Sequence, residues 1–347
     1  CLEKEEFELQ PLVSALIVNR NYGKYLGQSI KSILTQDYPK ECIEIIVVDY
    51  GSTDGSQRII QEFGSDVRGF YLEDGTFLQA INTALANANG KYVALIGADD
   101  MWLPTKISRQ VAFLEHHPEV GLVYGDMVLI SDNGKVIANS YWNLYSIKPL
   151  RGRVAFSLVK ENVISSGTIL VRSELRNVFF PIPEGKGFDQ AEDWWIAFNV
   201  SLHSEVDFID EPLTLYRFHG NNVSLANPVL PVTFESTKLM LKQQALARKT
   251  ILERLSELGI NDESVFRELN LLYESKECEL KVFESLEEDA SSLFKMLTEL
   301  GLNSSTARSL AKGVMLKIMP GLYNQLRFLR NRKSFRYNKI YKQIAGI

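Results

Sequence analysis

The sequence is poor in cysteine and has no long apolar run. Its three cysteines, Cys1, Cys42 and Cys278, are scattered through 347 residues, so neither a disulfide framework nor the paired spacing of a zinc site is present. No apolar run reaches the roughly 18–20 residues that cross a membrane. These absences exclude a cysteine-stapled secreted scaffold and indicate a reducing compartment, so we expect a cytoplasmic protein.

Positive charge is not in excess, and the common phosphate-binding loops are missing. The formal net charge of −5 gives no overall attraction for nucleic acid, which we therefore exclude as a partner. Neither G-x-G-x-x-G nor G-x-x-x-x-G-K-[ST] occurs. There is also no internal repeat and no low-complexity segment. What remains is a composition of 45% hydrophobic and 23% charged residues, which is ordinary for a globular protein.

Apolar runs alternate with amphipathic segments through the first 100 residues. Short apolar runs predict buried strands at 13–18, 43–48, 67–72 and 91–96. Helical spacing of apolar residues predicts helices between them, the clearest at 77–87. Strands that alternate with helices form a parallel sheet with helices on its faces.

Two of these strands end at acidic residues. The second stops at Asp49, and the fourth is followed by Asp99 and Asp100. Ligands bind beyond the carboxyl ends of the strands in open α/β sheets, so we expect these acids along one rim. Paired carboxylates there suit a divalent cation shared with substrate phosphates. The alternative is that Asp99 is only the N-cap of a helix starting near Pro104.

The next part of the chain mixes strands and helices. Predicted elements are a helix at 103–116, a hairpin of 120–130 and 135–138, and strands at 165–171, 206–209 and 213–218. A glycine-containing loop at 185–189 leads to Glu192 and Asp193, which start a helix. Trp195 of this helix is assigned to the core, whereas Trp102 and Trp142 are left open between core and sugar platform.

Strand signals stop near residue 230. Helices are predicted at 232–256, 262–288, 290–299 and 304–318. We therefore divide the chain into a loose arm at 1–11, an α/β domain at 12–227 and a helical appendage at 228–347. Basic and apolar residues interleave over 312–347, where no Asp or Glu occurs. Such a segment suits an anionic membrane surface, at about 1 kcal/mol per basic residue, and predicts peripheral contact at the inner face of the plasma membrane. The alternative is a solvated helical tail packed on the rest of the chain.

The first ~222 residues resemble family 2 glycosyltransferases with the GT-A fold. The motifs occur in the family's order: V-S-A-L-I-V with Asn21, V-V-D-Y-G-S-T-D-G at 47–55, G-K-Y to G-A-D-D-M-W-L-P at 90–104, E-D at 192–193, and Y-R-F-H-G-N-N-V-S at 216–224. The resemblance implies a Rossmann-like, mostly parallel sheet flanked by helices. It also implies inverting transfer of a sugar from a nucleotide-diphosphate donor, a UDP-sugar, to a hydroxyl of a glycan or lipid-linked acceptor. The helical appendage is not covered.

The resemblance also assigns roles to single residues. Asp49 would hydrogen-bond the nucleotide base, uracil, and Asp99 would hold the Mn²⁺ or Mg²⁺ that bridges the donor diphosphate. His219 would be an additional metal or phosphate contact. Asp193 would be the catalytic base, and the helix dipole at its position favours the ionised form. Further donor-binding residues are Val18, Arg20, Asn21 and Asn82, the last in a G-T-F-L-Q-A-I-N run typical of a subgroup.

Three residues depart from the family pattern. Arg20 stands near an aromatic position and offers a planar guanidinium for stacking instead. Tyr50 replaces the second acid of a D-D pair, and Gly97 replaces the first acid of D-x-D. These departures support an alternative function, a catalytically silent relative that binds nucleotides or glycans or acts as a scaffold. A nucleotidyltransferase is disfavoured, because the loop at 19–23 is neither glycine-rich nor strongly basic.

Overall fold

The computed structural model describes residues 10–219, 222, 233–260, 263–288 and 304–318. The chain divides into two compact units. The first contains the described residues up to Leu158 together with Asn162–Ile182 and Glu192–Phe218. The second contains Val159–Glu161, Pro183–Ala191 and the described residues from His219 onward. The predicted boundary at 227/228, residues 1–9, the predicted helix at 290–299 and the basic segment beyond 318 lie outside the described residues.

Within the described residues, nine strands form one sheet. They are β1 (Val13–Asn19), β2 (Ile43–Tyr50), β3 (Arg68–Leu72), β4 (Tyr92–Gly97), β5 (Met101–Trp102), β6 (Val120–Ser131), β7 (Val136–Ala138), β8 (Leu170–Arg172) and β9 (Glu205–Phe218). Their order is β3-β2-β1-β4-β8-β6-β9-β5, with β7 paired to β6. The pairs β3–β2, β2–β1, β1–β4 and β6–β9 are parallel, and β8 runs antiparallel to β4 and β6. The predicted mostly parallel sheet is confirmed.

Helices connect these strands, five of them where the apolar spacing predicted a helix. They are α1 (Gly23–Leu34), α2 (Ser56–Glu62), α3 (Phe77–Asn87), α4 (Lys106–His116), α5 (Tyr141–Tyr145), α6 (Ala155–Lys160), α7 (Arg176–Phe179) and α8 (Glu192–His203). In α1, Leu26, Ile30 and Ile33 are fully buried, since they recur on one helical face. The α3 helix starts at the predicted residue because Thr76 forms a capping box with Gln79.

The second unit is built on long helices. They are α9 (Phe234–Glu257), α10 (Glu263–Glu288) and α11 (Ser304–Ile318), close to three of the predicted helices. A small apolar core of Phe234, Leu241, Phe283 and Leu316 is shared among them. No helix in the described ranges is both long and apolar enough to cross a membrane.

Some local predictions were wrong. Residues 165–171 are not one strand, since Ser166–Thr168 form a 3₁₀ turn before β8. The two strands expected at 206–218 are one strand, β9, whose register against β6 jumps from Ile209 to Pro212. Proline cannot donate to the ladder, which explains a bulge there. The short helices α5, α6 and α7 were not predicted.

Candidate active site

The carboxyl ends of β2, β1 and β4 lie side by side at one edge of the sheet. Asn19 at the end of β1 is level with Asp49 of β2, and Val18 is level with both Val48 and Gly97. Val18 itself is a strand residue within this ladder. The predicted rim of acids therefore exists, with Asp49 on β2 and the aspartate pair just after β4.

Asp99 and Asp100 point one carboxylate oxygen each toward the same place, above Gly97. A Cβ atom added to Gly97 would lie 2.7 Å from Asp99 Oδ1 and 3.0 Å from Asp100 Oδ2. A side chain at this position would push the Asp99 carboxylate aside and crowd that of Asp100, which gives a physical reason for glycine where the family has an acid. Asp99 is not the cap of α4, because Thr105 occupies that position.

This pair of oxygens fits a divalent cation. Mg²⁺ is commonly held by one or two carboxylates, with water and substrate phosphates completing its shell. Among the residues that the structure describes, no three His, Cys, Asp or Glu side chains are grouped as for a metal ion. The protein thus offers part of a coordination shell. His219, the other predicted metal contact, follows β9 in the second unit, where its backbone N–H donates to Asn222 Oδ1 at 2.9 Å.

Arg217 holds the aspartate pair in place. Its backbone N–H donates to Asp100 Oδ1 at 2.8 Å and its Nε to the carbonyl of Asp99 at 2.8 Å. Its terminal nitrogens donate to the carbonyl of Asp132 and to Gln28 Oε1, both at 2.8 Å. Arg217 is only 1% exposed. This arginine lies in the Y-R-F-H-G-N-N-V-S motif, but the sequence predicted no role for it.

Burial changes the protonation of Asp100. Asp100 is nearly buried, and burial followed by the neighbouring Asp99 carboxylate raises its pKa well above the usual range. The backbone hydrogen bond from Arg217 acts in the opposite direction. A cation placed between the two carboxylates would relieve this repulsion.

Asp193, the predicted base, lies in the first turn of α8. Its Oδ1 accepts hydrogen bonds from Asn162 Nδ2 at 2.9 Å and from the backbone N–H of Trp194 at 2.6 Å. Its Oδ2 accepts one, from the backbone N–H of Ser166 at 3.0 Å. A carboxylate oxygen has two acceptor positions, so Oδ2 retains one for a further donor.

The surroundings of Asp193 oppose its ionisation. The helix dipole favours the charged form, but burial followed by the charge of Glu192 raises the pKa of Asp193 well above its usual range. Burial also raises the pKa of Glu192, although a hydrogen bond from Ser166 opposes this shift. A carboxylate with a raised pKa is a stronger base, and its charged form is lost as the pH falls through that raised pKa.

A short segment connects Asp193 to the aspartate pair. Ser166 donates to Asp193, and the next carbonyl, that of Gly167, accepts from Trp102 Nε1 at 3.1 Å and from Thr214 Oγ1 at 2.9 Å. A Cβ atom on Gly167 would lie 3.7 Å from Asp100 Oδ2. The residues around 166–167 therefore fix the position of Asp193 relative to Asp99 and Asp100.

Lys106 also holds the segment around 166–169 in place. Its Nζ donates to Gln110 Oε1 at 2.7 Å and to the carbonyl of Ile169 at 3.2 Å, and it lies 4.2 Å from the centre of the Trp102 ring. Gln110 Nε2 donates to the carbonyl of Thr168 at 2.7 Å. Lys106 is fully buried, and burial lowers its pKa well below the usual value.

This buried lysine predicts a pH dependence of stability. In the interval just below the pKa of a free lysine, about 10.4, the unfolded chain holds the Lys106 proton more tightly than the folded chain. Lys106 therefore adds a rise with pH to the free energy of unfolding, of up to about 1.4 kcal/mol per pH unit. The Lys106→Met variant should lose this rise, whatever its absolute stability. Urea unfolding across that interval measures the slope, with Lys40→Met, which removes an exposed lysine, as the control. An unchanged slope in Lys106→Met would contradict the assignment.

The carboxylate of Asp49 is held by hydrogen bonds from its own chain. It is fully buried. Its Oδ2 accepts from Asn19 Nδ2 at 2.7 Å and from the Ser52 hydroxyl, and its Oδ1 accepts from the Ser52 N–H at 3.1 Å and from Gln57 Nε2 at 3.2 Å. These bonds fill the acceptor positions of a carboxylate. Through these bonds Asp49 holds the loop after β2, and its contact with uracil stays a prediction.

Asn82 is likewise occupied by the protein. Its Nδ2 donates to the carbonyl of Ile182 and its Oδ1 accepts from the N–H of the same residue, both at 2.9 Å. It therefore fastens Ile182 to α3, and the donor contact of Asn82 stays a prediction.

The loop after β1 is tied to the loop after β2. Asn21 has a positive φ of 61°, its N–H donates to Ser52 Oγ at 2.8 Å, and its Oδ1 accepts from the Thr53 N–H at 2.7 Å. Arg20, the residue before it, is exposed, and its guanidinium lies over the Tyr50 ring at 5.7 Å. The structure thus brings Arg20 and Asn21 to the rim as predicted, beside Tyr50.

The tryptophans belong to the core. At most 7% of the residue surface is exposed in each of the four, Trp102, Trp142, Trp194 and Trp195. Trp194 Nε1 donates to the carbonyl of Leu158 at 2.7 Å and Trp195 Nε1 to that of Phe179 at 2.8 Å. Trp102 and Trp142, which the sequence left open between core and sugar platform, therefore belong to the core.

Comparison with known proteins identifies the family. Residues 14–190, just over half of the chain, match the model of Glycosyl transferase family 2. An uncharacterized glycosyltransferase of Nostoc is 31% identical over 218 residues, which is 60% of this chain and 66% of the relative. One of Rickettsia bellii is 34% identical over 142 residues, 40% of this chain and 19% of the relative. The chain thus spans between about one fifth and two thirds of the length of these relatives.

Solved structures share the fold at low sequence identity. S. aureus TarS 1-349 has a TM-score of 0.54 and 17% identity, covering 94% of this chain and 93% of that one. The mannosyltransferase PcManGT from Pyrobaculum calidifontis, in complex with GDP-Man and Mn²⁺, has a TM-score of 0.53 and 17% identity, covering 92% and 84%. At this identity the likeness concerns the fold alone. With the family match and the motifs in order, the chain belongs to glycosyl transferase family 2 and has the GT-A fold.

Proposed function

We propose that this chain transfers a sugar from a nucleotide-diphosphate donor to a hydroxyl group of a glycan or lipid-linked acceptor, with inversion at the anomeric carbon. The observation that carries the proposal is the convergence of Asp99 and Asp100 above Gly97, together with the open acceptor position on Asp193. The related structures of TarS 1-349 with UDP-GlcNAc and of PcManGT with GDP-Man and Mn²⁺ support it by the ligands they contain.

The reaction adds negative charge to the leaving nucleotide and removes a proton from the acceptor hydroxyl. The chain has a candidate group for each of these two changes. The bond between the anomeric carbon and the diphosphate oxygen breaks, so the leaving nucleotide gains negative charge. A divalent ion held by Asp99 and Asp100 would supply Lewis-acid stabilisation to this leaving group. Arg217 keeps both aspartates in place, because it bonds the carbonyl of one and the carboxylate of the other.

The acceptor hydroxyl loses its proton as it attacks. Asp193 Oδ2 takes this proton, while Asn162, Ser166 and Trp194 hold the carboxylate in one orientation. The new bond forms between the acceptor oxygen and the anomeric carbon, on the face opposite to the departing diphosphate. A single displacement of this kind inverts the configuration.

A ligand panel tests this function. Nucleotide sugars are added to the full chain with Mn²⁺, and the melting temperature is measured, since a ligand that binds only the folded state raises it. We expect a nucleotide-diphosphate sugar to raise the melting temperature with Mn²⁺ and less without it. Donor turnover with that sugar separates an enzyme from a silent relative, which would be stabilised but would not release the nucleotide.

A further inference from the structure

The second compact unit contains two short segments besides its long helices. They are Val159–Glu161 and Pro183–Ala191. The first is followed directly in the chain by Asn162, whose side chain donates to Asp193 Oδ1 at 2.9 Å. The second is followed by Glu192 and then by Asp193 itself, at the start of α8. The chain therefore leaves the second unit immediately before the candidate base and immediately before the amide that orients it.

The second of these segments touches the backbone of α9. Gly187 is buried and has a positive φ of 88°. A Cβ atom on Gly187 would lie 2.4 Å from the backbone nitrogen of Ala247 and 2.5 Å from the carbonyl oxygen of Gln243. Both atoms belong to a helix backbone, which cannot turn aside as the end of a flexible side chain can. Glycine is therefore required for this approach.

Side chains of α9 hold the same segment by hydrogen bonds. Thr250 Oγ1 donates to the carbonyl of Lys186 at 3.3 Å, and Gln243 Nε2 donates to the carbonyl of Asp189 at 3.5 Å. Gln243, Ala247 and Thr250 are spaced by four and then three residues, which places them on one face of the helix. One face of α9 therefore follows the backbone of the second segment.

The first segment is held by an arginine of the same helix. Arg248 Nη2 donates to the carbonyl of Lys160 at 3.1 Å. Lys160 is the last residue of α6, and the final carbonyls of a helix have no partner within it. Arg248 is only 6% exposed, and a buried guanidinium that lost this partner would be left with an unpaired donor. The contact is therefore an anchor for the end of α6.

A general base acts only when its position is precise. Asp193 must lie within about 2.6–3.2 Å of the hydroxyl from which it takes a proton. A displacement of about 1 Å, caused by a change far from the reacting atoms, can cost about a hundredfold in rate. Anchoring the two segments restricts both the residue that carries the carboxylate and the one that orients it.

We infer that α9 positions the catalytic base, because it anchors the two segments that continue into Asn162 and Asp193. Gly187 and Arg248 are then positioning residues of the transfer reaction. This inference rests on the proposed function, since it takes Asp193 as the base. It gives the helical second unit a part in the chemistry, although the family match ends at residue 190.

The first test separates turnover from nucleotide binding in the full chain. Release of nucleotide from the donor selected by the ligand panel, with water as the acceptor, gives kcat, and calorimetric titration with the matching nucleoside diphosphate and Mn²⁺ gives Kd. We expect Gly187→Ala to lower kcat by at least about tenfold and to leave Kd within about twofold. Gly185→Ala is the matched control and should keep the wild-type kcat. Gly185 lies in the same segment and also has a positive φ, of 64°, but nothing lies within 4 Å of its added Cβ atom.

Arg248→Met tests the other segment independently, and it decides the matter if melting curves show that Gly187→Ala does not fold. The variant removes the hydrogen bond to the Lys160 carbonyl, so kcat should fall by at least about threefold with an unchanged Kd. Lys249→Met, which removes the exposed cation next to Arg248 on α9, is its control and should behave as the wild type.

A double variant shows whether the segment acts through the base. Gly187→Ala combined with Asp193→Asn should turn over within about twofold of Asp193→Asn alone, because a base that is already lost cannot be misplaced. If the two losses multiplied, the effect of Gly187 would be merely structural and the inference would be wrong.

The remaining outcomes distinguish the inference from the proposed function. Wild-type kcat in both Gly187→Ala and Arg248→Met, beside a slow Asp193→Asn, would overturn the inference and leave the proposed function standing. Absence of turnover in the wild type, or normal turnover in Asp193→Asn, would overturn both the role of the base and the inference that depends on it.

Discussion

The Asp193→Asn variant is expected to release nucleotide from the donor about 100 to 10 000 times more slowly than the wild type, the range typical for loss of a general base. Its affinity for the nucleotide should stay within about twofold, because Asp193 contacts neither Asp99 nor the loops after β1 and β2 in the hydrogen bonds described here. The signature is therefore a fall in kcat with an unchanged nucleotide Kd.

The substitution is close to isosteric, but its stability must be checked. The Asn amide oxygen replaces Oδ1 as acceptor for Asn162 and Trp194, and the amide nitrogen then faces the Ser166 N–H. Losing that hydrogen bond costs about 1 kcal/mol, which a melting curve would detect. Near-normal turnover in a folded Asp193→Asn protein would remove Asp193 from the base role.

Glu192→Gln provides the matched control, because it removes the neighbouring carboxyl and keeps Asp193. The base must be ionised to act, so activity falls as the pH drops through the raised pKa of Asp193. Since the charge of Glu192 contributes to that raised pKa, its removal should move the acid limb of the pH–rate profile to lower pH. An acid limb that stays in place would contradict this coupling.

The strands at the site were predictable because each is apolar on both faces. The predicted runs at 13–18 and 43–48 differ from β1 and β2 by at most two residues, and α3 matches its prediction. The sequence also shows which residues end these strands. The position of Asp49 and Asp99 at one edge of the sheet could therefore be predicted. Local pattern and chain topology were enough for this part of the site.

The partners of each acid could not be predicted, because they come from distant parts of the chain. Asp49 is saturated in part by Asn19, and Asp100 is held by Arg217, 117 residues away in sequence. A side chain at a rim can be an open ligand or a saturated support, and only its hydrogen-bond partners distinguish the two. For this reason the sequence placed Asp49 correctly at the rim but could not show the hydrogen bonds by which it holds the loop after β2.

The prediction of a strand at 165–171 failed for a related reason. Its apolar and β-branched residues read as a strand, yet its carbonyls are taken by the side chains of Trp102, Lys106 and Gln110. Side chains that bond backbone groups compete with strand pairing, and here they enforce a 3₁₀ turn. That turn connects Asp193 to Asp99 and Asp100. The wrongly predicted strand is therefore the element nearest to the candidate catalytic residues.

The proposed cation ligands, Asp99 and Asp100, give the other large expected effect. Asp99→Ala should abolish the Mn²⁺-dependent part of nucleotide binding, because it removes one of the two oxygens that converge above Gly97. Calorimetric titration with UDP and GDP, with and without Mn²⁺, measures this part directly. Mn²⁺ dependence that persists unchanged in Asp99→Ala would refute the assignment.

Gly97→Ala tests the geometry without touching a carboxylate. The added methyl group would lie within 3.0 Å of both aspartate oxygens, so at least one of them must move. We expect the Mn²⁺-dependent affinity to fall by at least about tenfold, as for loss of a positioned charged ligand. Gly27→Ala is the matched control: its methyl group would lie 3.8 Å from Ile59 Cγ2, and inside α1 it should stabilise the fold by about 0.5–1 kcal/mol while Mn²⁺ binding is unchanged. If both alanine variants bound Mn²⁺ and nucleotide equally well, the oxygens above Gly97 would not be the cation ligands.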